Sequence, residues 1–408
     1  MRLTLNKFSA LRLLRSLRID GTWGAVAKER APLTIPSCEP AKRWLAKDVD
    51  VKRLEMSGRP TSANPLYVAV PASSKRLQAS WIQSTVYTAG LGDEPALAVD
   101  DDLSLVCPEL LFVELARMMP RATHVLLGME LTGRFARDPL DPRDGKVTFN
   151  TPPVTTVERI AEFMDACSGV WGLSSARESL AYVRDNAWSP REALVACLAL
   201  LPMEDLGYGL DDLTMNVRVD LDEDVQMSGH QARLPDMLLC GSDVGFNYDG
   251  EDHLDLDSII EVAQEPVVEE GTEEQVRAAH EAKNRSVRAA KKAVRAKVID
   301  DQRRDRELAA QVKTVYRVTS EDLYERGGLD MLMKLAFDAL AKEGVDVTVQ
   351  RKMLASRPLA MRRQQFIWSL LPGGVGRRNA RALAAWRRKN QERLEAAAKE
   401  MAEEGFVL

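Results

Sequence analysis

The spacing of apolar and polar positions changes several times along this chain, and the changes mark its elements. Residues from about 8 to 18 predict a helix, followed by proline-punctuated loops and the strand-like run Tyr67-Val68-Ala69-Val70. Asp100-Asp101-Asp102 breaks the chain before the apolar run Leu103 to Val106, and Pro108 opens a helix reaching about Met119. Pro139, Asp141, Pro142, Arg143, Asp144 and Gly145 form a loop that marks an approximate domain boundary. Beyond it, Thr155 to Cys167, Ser175 to Asn186 and Pro190 to Leu201 predict helices, the last with Ser189 as N-cap and Pro190 at its first position. Met215 to Leu221 alternates as a half-buried strand. Leu234 to Leu239 and the run beginning at Val244 flank the turn Gly241-Ser242-Asp243, which predicts a hairpin. An acidic loop (Glu261, Glu265, Glu269, Glu270, Glu273, Glu274) leads into a charged helix over roughly 273–311. A strand at Thr314 to Thr319 and a helix from Ser320 to about Lys342 follow.

Composition narrows the class. The chain has 408 residues, 45% hydrophobic and 29% charged, which fits a globular protein of two or more domains. A net charge of −5 excludes a globally basic nucleic-acid binder, so any such surface is local. That local surface lies between Val347 and Gln391, where eleven Lys or Arg occur without an Asp or Glu. Cys38, Cys107, Cys167, Cys197 and Cys240 are widely spaced, which argues for reduced thiols rather than a disulfide framework or zinc site. No apolar run approaches the ~18 residues of a membrane span. Arg2, Lys7, Arg12, Arg15 and Arg18 interrupt the N-terminal apolar stretch, so the expectation is a cytoplasmic protein without a signal peptide.

The candidate chemistry lies at the hairpin. Asp236 and Asp249 each stand at a strand end, with His253 just beyond. Carboxylates in this arrangement suit Mg²⁺, which takes one or two of them besides phosphate oxygens and water. The metal would polarise a phosphoryl oxygen and lower the pKa of an attacking water. His253 would serve as base or stabilise the leaving group. The acidic run Asp249 to Asp257 is not a calcium loop of the EF-hand kind, since position twelve of that register is Leu256.

Ser189-Pro190-Arg191-Glu192 on a helix, Asp236 on a strand, Asn247-Tyr248-Asp249-Gly250-Glu251-Asp252-His253, Asp301-Gln302-Arg303-Arg304 with Leu308, and Arg317-Val318-Thr319 occur in that order. The series resembles the PD-(D/E)XK nucleases, in the branch related to very-short-patch-repair endonucleases. The resemblance covers about 189–340. It implies an α/β (α+β) chain with a restriction-endonuclease-like αβββαβ core at 155–345, between an α+β N-terminal domain at 1–150 and a basic helical tail at 346–408. It further implies that Asp236 and Asp249 hold Mg²⁺, that Glu192 orients a metal-bound water and that Arg304 reaches a phosphate. Asn247 departs from the pattern, which has a carboxylate there; the change removes a full negative charge and weakens cation binding.

In the tail, Gly-Val-Gly-x-x-x-Ala-x-x-Leu at 374–383 resembles the hairpin of helix-hairpin-helix DNA-binding modules, with Gly373 and Gly374 where that family has one glycine. Arg377, Arg378 and Arg381 would add salt-sensitive, sequence-independent attraction to DNA. Residues 65–135 loosely resemble the middle of actinobacterial proteins related to AbiE-type antitoxins, and Glu109 and Glu130 there read as helix-face carboxylates. Two functions remain open. One is Mg²⁺-dependent phosphodiester hydrolysis on DNA, in defence or repair. The other is a catalytically degenerate nuclease-fold module acting as an antitoxin-like or transcriptional regulatory DNA-binding protein. Asn247 favours the second; Asp236, Asp249 and His253 favour the first.

Overall fold

The apolar runs of the first hundred residues close into one mixed six-stranded sheet in the computed structural model. Its strands are β1 (Leu3–Leu5), β2 (Arg30–Ala31), β3 (Leu66–Val70), β4 (Ile82–Val86), β5 (Ala96–Ala98) and β6 (Leu103–Val106), in the order β2-β5-β6-β1-β3-β4. β1 is interior and fully buried, parallel to β6 and antiparallel to β3. The helices are α1 (Lys7–Ile19), α2 (Pro108–Leu115), α3 (Arg121–Leu131), α4 (Val157–Ala166), α5 (Leu173–Leu180) and α6 (Pro190–Leu200). α1 packs on β3, β6 and α2, and α3 packs on α6. The structure describes residues 2–37, 44–88, 90–92, 94–226, 229–249, 273–311 and 313–403.

The chain forms two units, residues 1–211 with 361–408 and residues 212–360. The three helices after the 139–145 loop, expected to open the nuclease-like domain, therefore belong with the first sheet. The physical reason is that α6 is apolar all round (Ala-Leu-Val-Ala-Cys-Leu-Ala-Leu) and every residue from Glu192 to Leu200 is buried, which a helix facing solvent on one side does not permit.

Burial also revises Glu109 and Glu130. Both are buried rather than on a helix surface, and a buried charge needs partners. Arg15 makes a bidentate pair with Glu130 (2.8 and 2.7 Å). Arg18 donates to the carbonyls of Glu130, Gly133 and Pro152 at 2.8–3.0 Å. Thr155 Oγ1 donates to Glu109 (2.7 Å). Two of the basic residues of the N-terminal helix are thus internal cross-links, not an outer surface.

The second unit holds a four-stranded sheet of β7 (Leu213–Met215), β8 (Met237–Leu239), β9 (Val244–Asp249) and β10 (Thr314–Thr319), in the order β10-β9-β8-β7. β7, β8 and β9 are antiparallel neighbours, and β10 joins β9 in parallel, as a crossover through α7 (Glu273–Ala310) requires. Neighbouring residues of β10 point to opposite faces. Arg317 Nη2 donates to Asp305 of α7 (2.5 Å), whereas Tyr316 Oη donates to the Leu335 carbonyl of α9 (Gly328–Lys342) after α8 (Ser320–Tyr324). The sheet is therefore sandwiched between the end of α7 and α9.

Two predicted elements are broken in two. The run Met215 to Leu221 is interrupted at Asn216, held at φ +52, and resumes as Val219–Asp220 in a separate two-stranded ribbon. The helix expected from Ser320 to Lys342 stops at Tyr324 and restarts after Gly327, whose φ of +82 a helix cannot contain. The tail forms α10 (Thr348–Ala355), α11 (Arg357–Leu370) and α12 (Gly373–Glu403). Most of it packs as part of the first unit, with buried Arg363 stacked over the Tyr208 ring at 4.8 Å. The whole is an α+β fold with mixed sheets. Among the described residues no helix is long and apolar enough to cross a membrane.

Burial pushes the His124 imidazole down to about 4, with the Phe112 carbonyl as its hydrogen-bond partner. That carbonyl only accepts, so Nε2 carries the proton of a neutral ring. Burial alone would raise the Glu130 carboxyl, but Arg15 and Arg137 outweigh it and hold the group down to about 2. For both groups the unfolded chain binds more protons between the folded and the unfolded pKa. Stability is accordingly full above about pH 6.5, falls as His124 is forced to charge toward pH 4, and falls again as Glu130 protonates toward pH 2. Thermal melts of His124→Gln against the native chain should remove the upper part of that loss, on the order of 2 kcal/mol.

Candidate functional site

Strand alternation places Asn247 and Asp249 on one face of β9. The pairing of Met237 with Phe246 sets Asp236, just before β8, opposite Asn247. The two residues interlock. The Asp236 N–H donates to Asn247 Oδ1 (3.0 Å), and Asp236 Oδ2 accepts the Tyr248 N–H (2.6 Å). On the same face, β10 sets Arg317 beside Asn247, and α7 brings Asp301, Arg304, Asp305 and Glu307. Asp301 and Arg304 lie within 3.7 Å of each other, and Leu308 is buried, as their shared helix face predicts.

The layer between α7 and the sheet is a lattice of ion pairs. Asp249, only 10% exposed, meets Arg317 Nη1 at 2.6 Å and Arg304 Nη2 at 3.8 Å. Arg317 also pairs with Asp305 (2.5 Å), and Arg233 joins the fully buried Glu307 (2.5 Å) to Asp300 (3.1 Å). The Arg233 hydrogen bonds hold the Asp300 carboxyl below the usual carboxylate range.

Among the described residues, this face sets cationic and amide groups beside its carboxylates. Of the described residues at this face, Asp249 Oδ1, Asn247 Nδ2 and Arg304 Nε are buried without a hydrogen-bond partner, one acceptor and two donors. A cation there would meet, among the described residues, the carboxylates of Asp236 and Asp249 beside an amide NH₂ and two guanidiniums. Among the described residues no group of three or more His, Cys, Asp or Glu is arranged to hold a metal. His253, Glu251 and Asp252 lie outside the described residues. Glu192 belongs to the first unit, where it caps its own helix. Its N–H donates to Ser189 Oγ (3.1 Å), and its Oε2 accepts the Trp188 N–H (3.1 Å). Arg304 is tied to Asp249 and Asp301 and is only 17% exposed, so its reach toward a phosphate is short.

No family model, curated protein or solved structure matches this chain. The tail brings further charged side chains together.

α11 and α12 are joined by Leu371 and Pro372 alone, with Gly373 at φ +75. A Cβ on Gly376 would overlap the Leu371 carbonyl oxygen, so this glycine permits the close approach of the two helices. The start of α12 already holds an anion. The Gly373 N–H donates to Asp144 Oδ1 (2.6 Å), and Arg377 pairs with the other Asp144 oxygen. Arg143 beside it donates to the Ser369 carbonyl of α11. The position where a hairpin of this kind offers N–H groups to phosphate is thus filled by the protein's own carboxylate.

The outer face of α12 is different. At 3.6 residues per turn, Arg378, Arg381, Arg388 and Lys389 share one side of the helix. All four are exposed and make no ion pair among the described residues. Trp386 borders this face at 44% exposure, with the Arg362 guanidinium over its ring at 5.4 Å. Sequence reasoning found Arg377, Arg378 and Arg381 but missed Arg362, Trp386, Arg388, Lys389 and Asp144. The i, i+3 spacing of Trp386 and Lys389 was the available signal for the helix residues; nothing in the sequence announces the long-range Asp144 contact.

Two stability experiments check this geometry. In a metal site crowded with carboxylates, neutralising one stabilises the empty protein. Here Asp249→Asn leaves Arg317 and Arg304 without their shared anion, so the melting temperature of the second unit should fall, by about 1 kcal/mol of stability. Gly376→Ala should cost about 2 kcal/mol or more by forcing α11 and α12 apart, visible as a lower melting temperature and loss of protease resistance at the turn.

Proposed function

We propose that this protein binds DNA through phosphate contacts from the outer face of α12, and that its nuclease-like sheet module is non-catalytic. The observation that carries the reading is the row Arg378, Arg381, Arg388 and Lys389, exposed and without an ion pair among the described residues, on one helix face of a chain whose net charge is −5. Such a row attracts a polyanion locally and releases its counterions on contact. The non-catalytic half of the reading is supported by the pairing of Asp249 with two guanidiniums and by the donor Nδ2 of Asn247 where a cation would need an oxygen. A nuclease-like fold whose Asp249 is engaged by two guanidiniums suits the regulatory, antitoxin-like role better than the cutting one.

The test is direct. Labelled DNA titrated at several salt concentrations should bind with a steep salt dependence. The triple variant Arg378→Ala, Arg381→Ala, Arg388→Ala should flatten the log–log slope by roughly 2–3 without altering the melting temperature. Plasmid and single-stranded DNA incubated with Mg²⁺ or Mn²⁺ should remain intact. Metal-dependent cutting that Asp249→Ala abolishes would overturn the non-catalytic half, and salt-insensitive or absent binding would overturn the DNA half.

A further inference from the structure

A surface built only for the duplex backbone needs cations and hydrogen-bond donors; it gains nothing from an exposed indole. Trp386 is 44% exposed, although it lies beside α11. Its neighbours on the helix surface are Lys389 one turn on and Arg393 two turns on, both exposed. Arg362 reaches across from α11 to lie over the ring at 5.4 Å. The indole thus has one cation over its ring and two more along the same side of its helix.

Elsewhere in the first unit, Trp171 and Trp188 are also exposed and carry cations over their rings. Neither stands beside a row of unpaired arginines. At the start of α12, Asp144 fills the position that would otherwise take a duplex phosphate. What the tail leaves open is the combination used for single strands, a positively charged track with an aromatic ring on which an unstacked base can lie. In a duplex the π-faces of the bases are covered by their neighbours and cannot reach such a ring.

We infer that Trp386, braced by Arg362, is a base-stacking platform and that the tail prefers single-stranded DNA to duplex. The inference rests on the DNA-binding reading above, and the experiment separates the two. Binding of a labelled oligothymidine and of a duplex of equal length would be measured for the full chain, Trp386→Ala and Trp386→Phe, with melting temperatures for each. The native chain should favour the single strand. Trp386→Ala should lose roughly 5- to 100-fold on the oligothymidine and change duplex affinity less than about twofold. Trp386→Phe, which keeps a π-face, should recover most of the loss. Equal losses on both ligands with a lowered melting temperature would reduce Trp386 to a brace between helices and overturn the inference. A native chain that binds duplex in preference to the single strand would also overturn it while leaving the DNA-binding reading intact. A native chain that binds neither would overturn both.

Discussion

A carboxylate taken out of water must be matched by positive charge or hydrogen bonds, and in the smaller sheet that requirement falls on Asp249. Arg317 comes from the neighbouring strand and Arg304 from the crossover helix, so one ion-pair cluster ties three elements together. Asp305 and Asp301 then balance the two arginines, and Arg233, Glu307 and Asp300 repeat the pattern nearby. The layer between α7 and the sheet is therefore polar and held together largely by its own ion pairs. Buried ion pairs add little net stability over an apolar layer but are costly to break. They fix where the helix lies on the sheet.

The larger unit solves the same problem with longer reach. Arg15 and Arg18 of α1 span more than a hundred residues of sequence to neutralise Glu130 and to satisfy carbonyls at the end of α3. The tail is held by related means. Arg363 stacks under Tyr208, Arg143 grips the end of α11, and Asp144 caps α12. These contacts orient the last helix, and the remaining arginines are left facing outward. A rigidly presented row of charges loses less entropy on meeting a polyanion than a mobile tail of the same composition.

Much of the architecture was legible because it depends on local pattern. The alternation in Thr314 to Thr319, the apolar hairpin around Gly241-Ser242-Asp243 and the Ser189-Pro190 start of α6 follow from side-chain period and capping chemistry. The local concentration of basic residues after Val347 is also a sequence fact. Sequence alone likewise set Asn247 where a carboxylate was expected, and with it the doubt over catalysis.

Tertiary structure decided the rest, since those features depend on contacts between residues far apart in the chain. The helix bearing Glu192 looked like the first element of the nuclease-like core, but its all-round apolar surface is buried beside α3 in the other unit. Glu109 and Glu130 read only as helix-face carboxylates because no pattern reveals that Thr155 and Arg15 will fold back to meet them. Asp144 looked like a loop residue, and only the return of the chain at Gly373 makes it a helix cap. Period and composition fix what each segment buries and where charge gathers. Which charges neutralise one another, and so which remain free to bind a partner, is set only when distant segments meet.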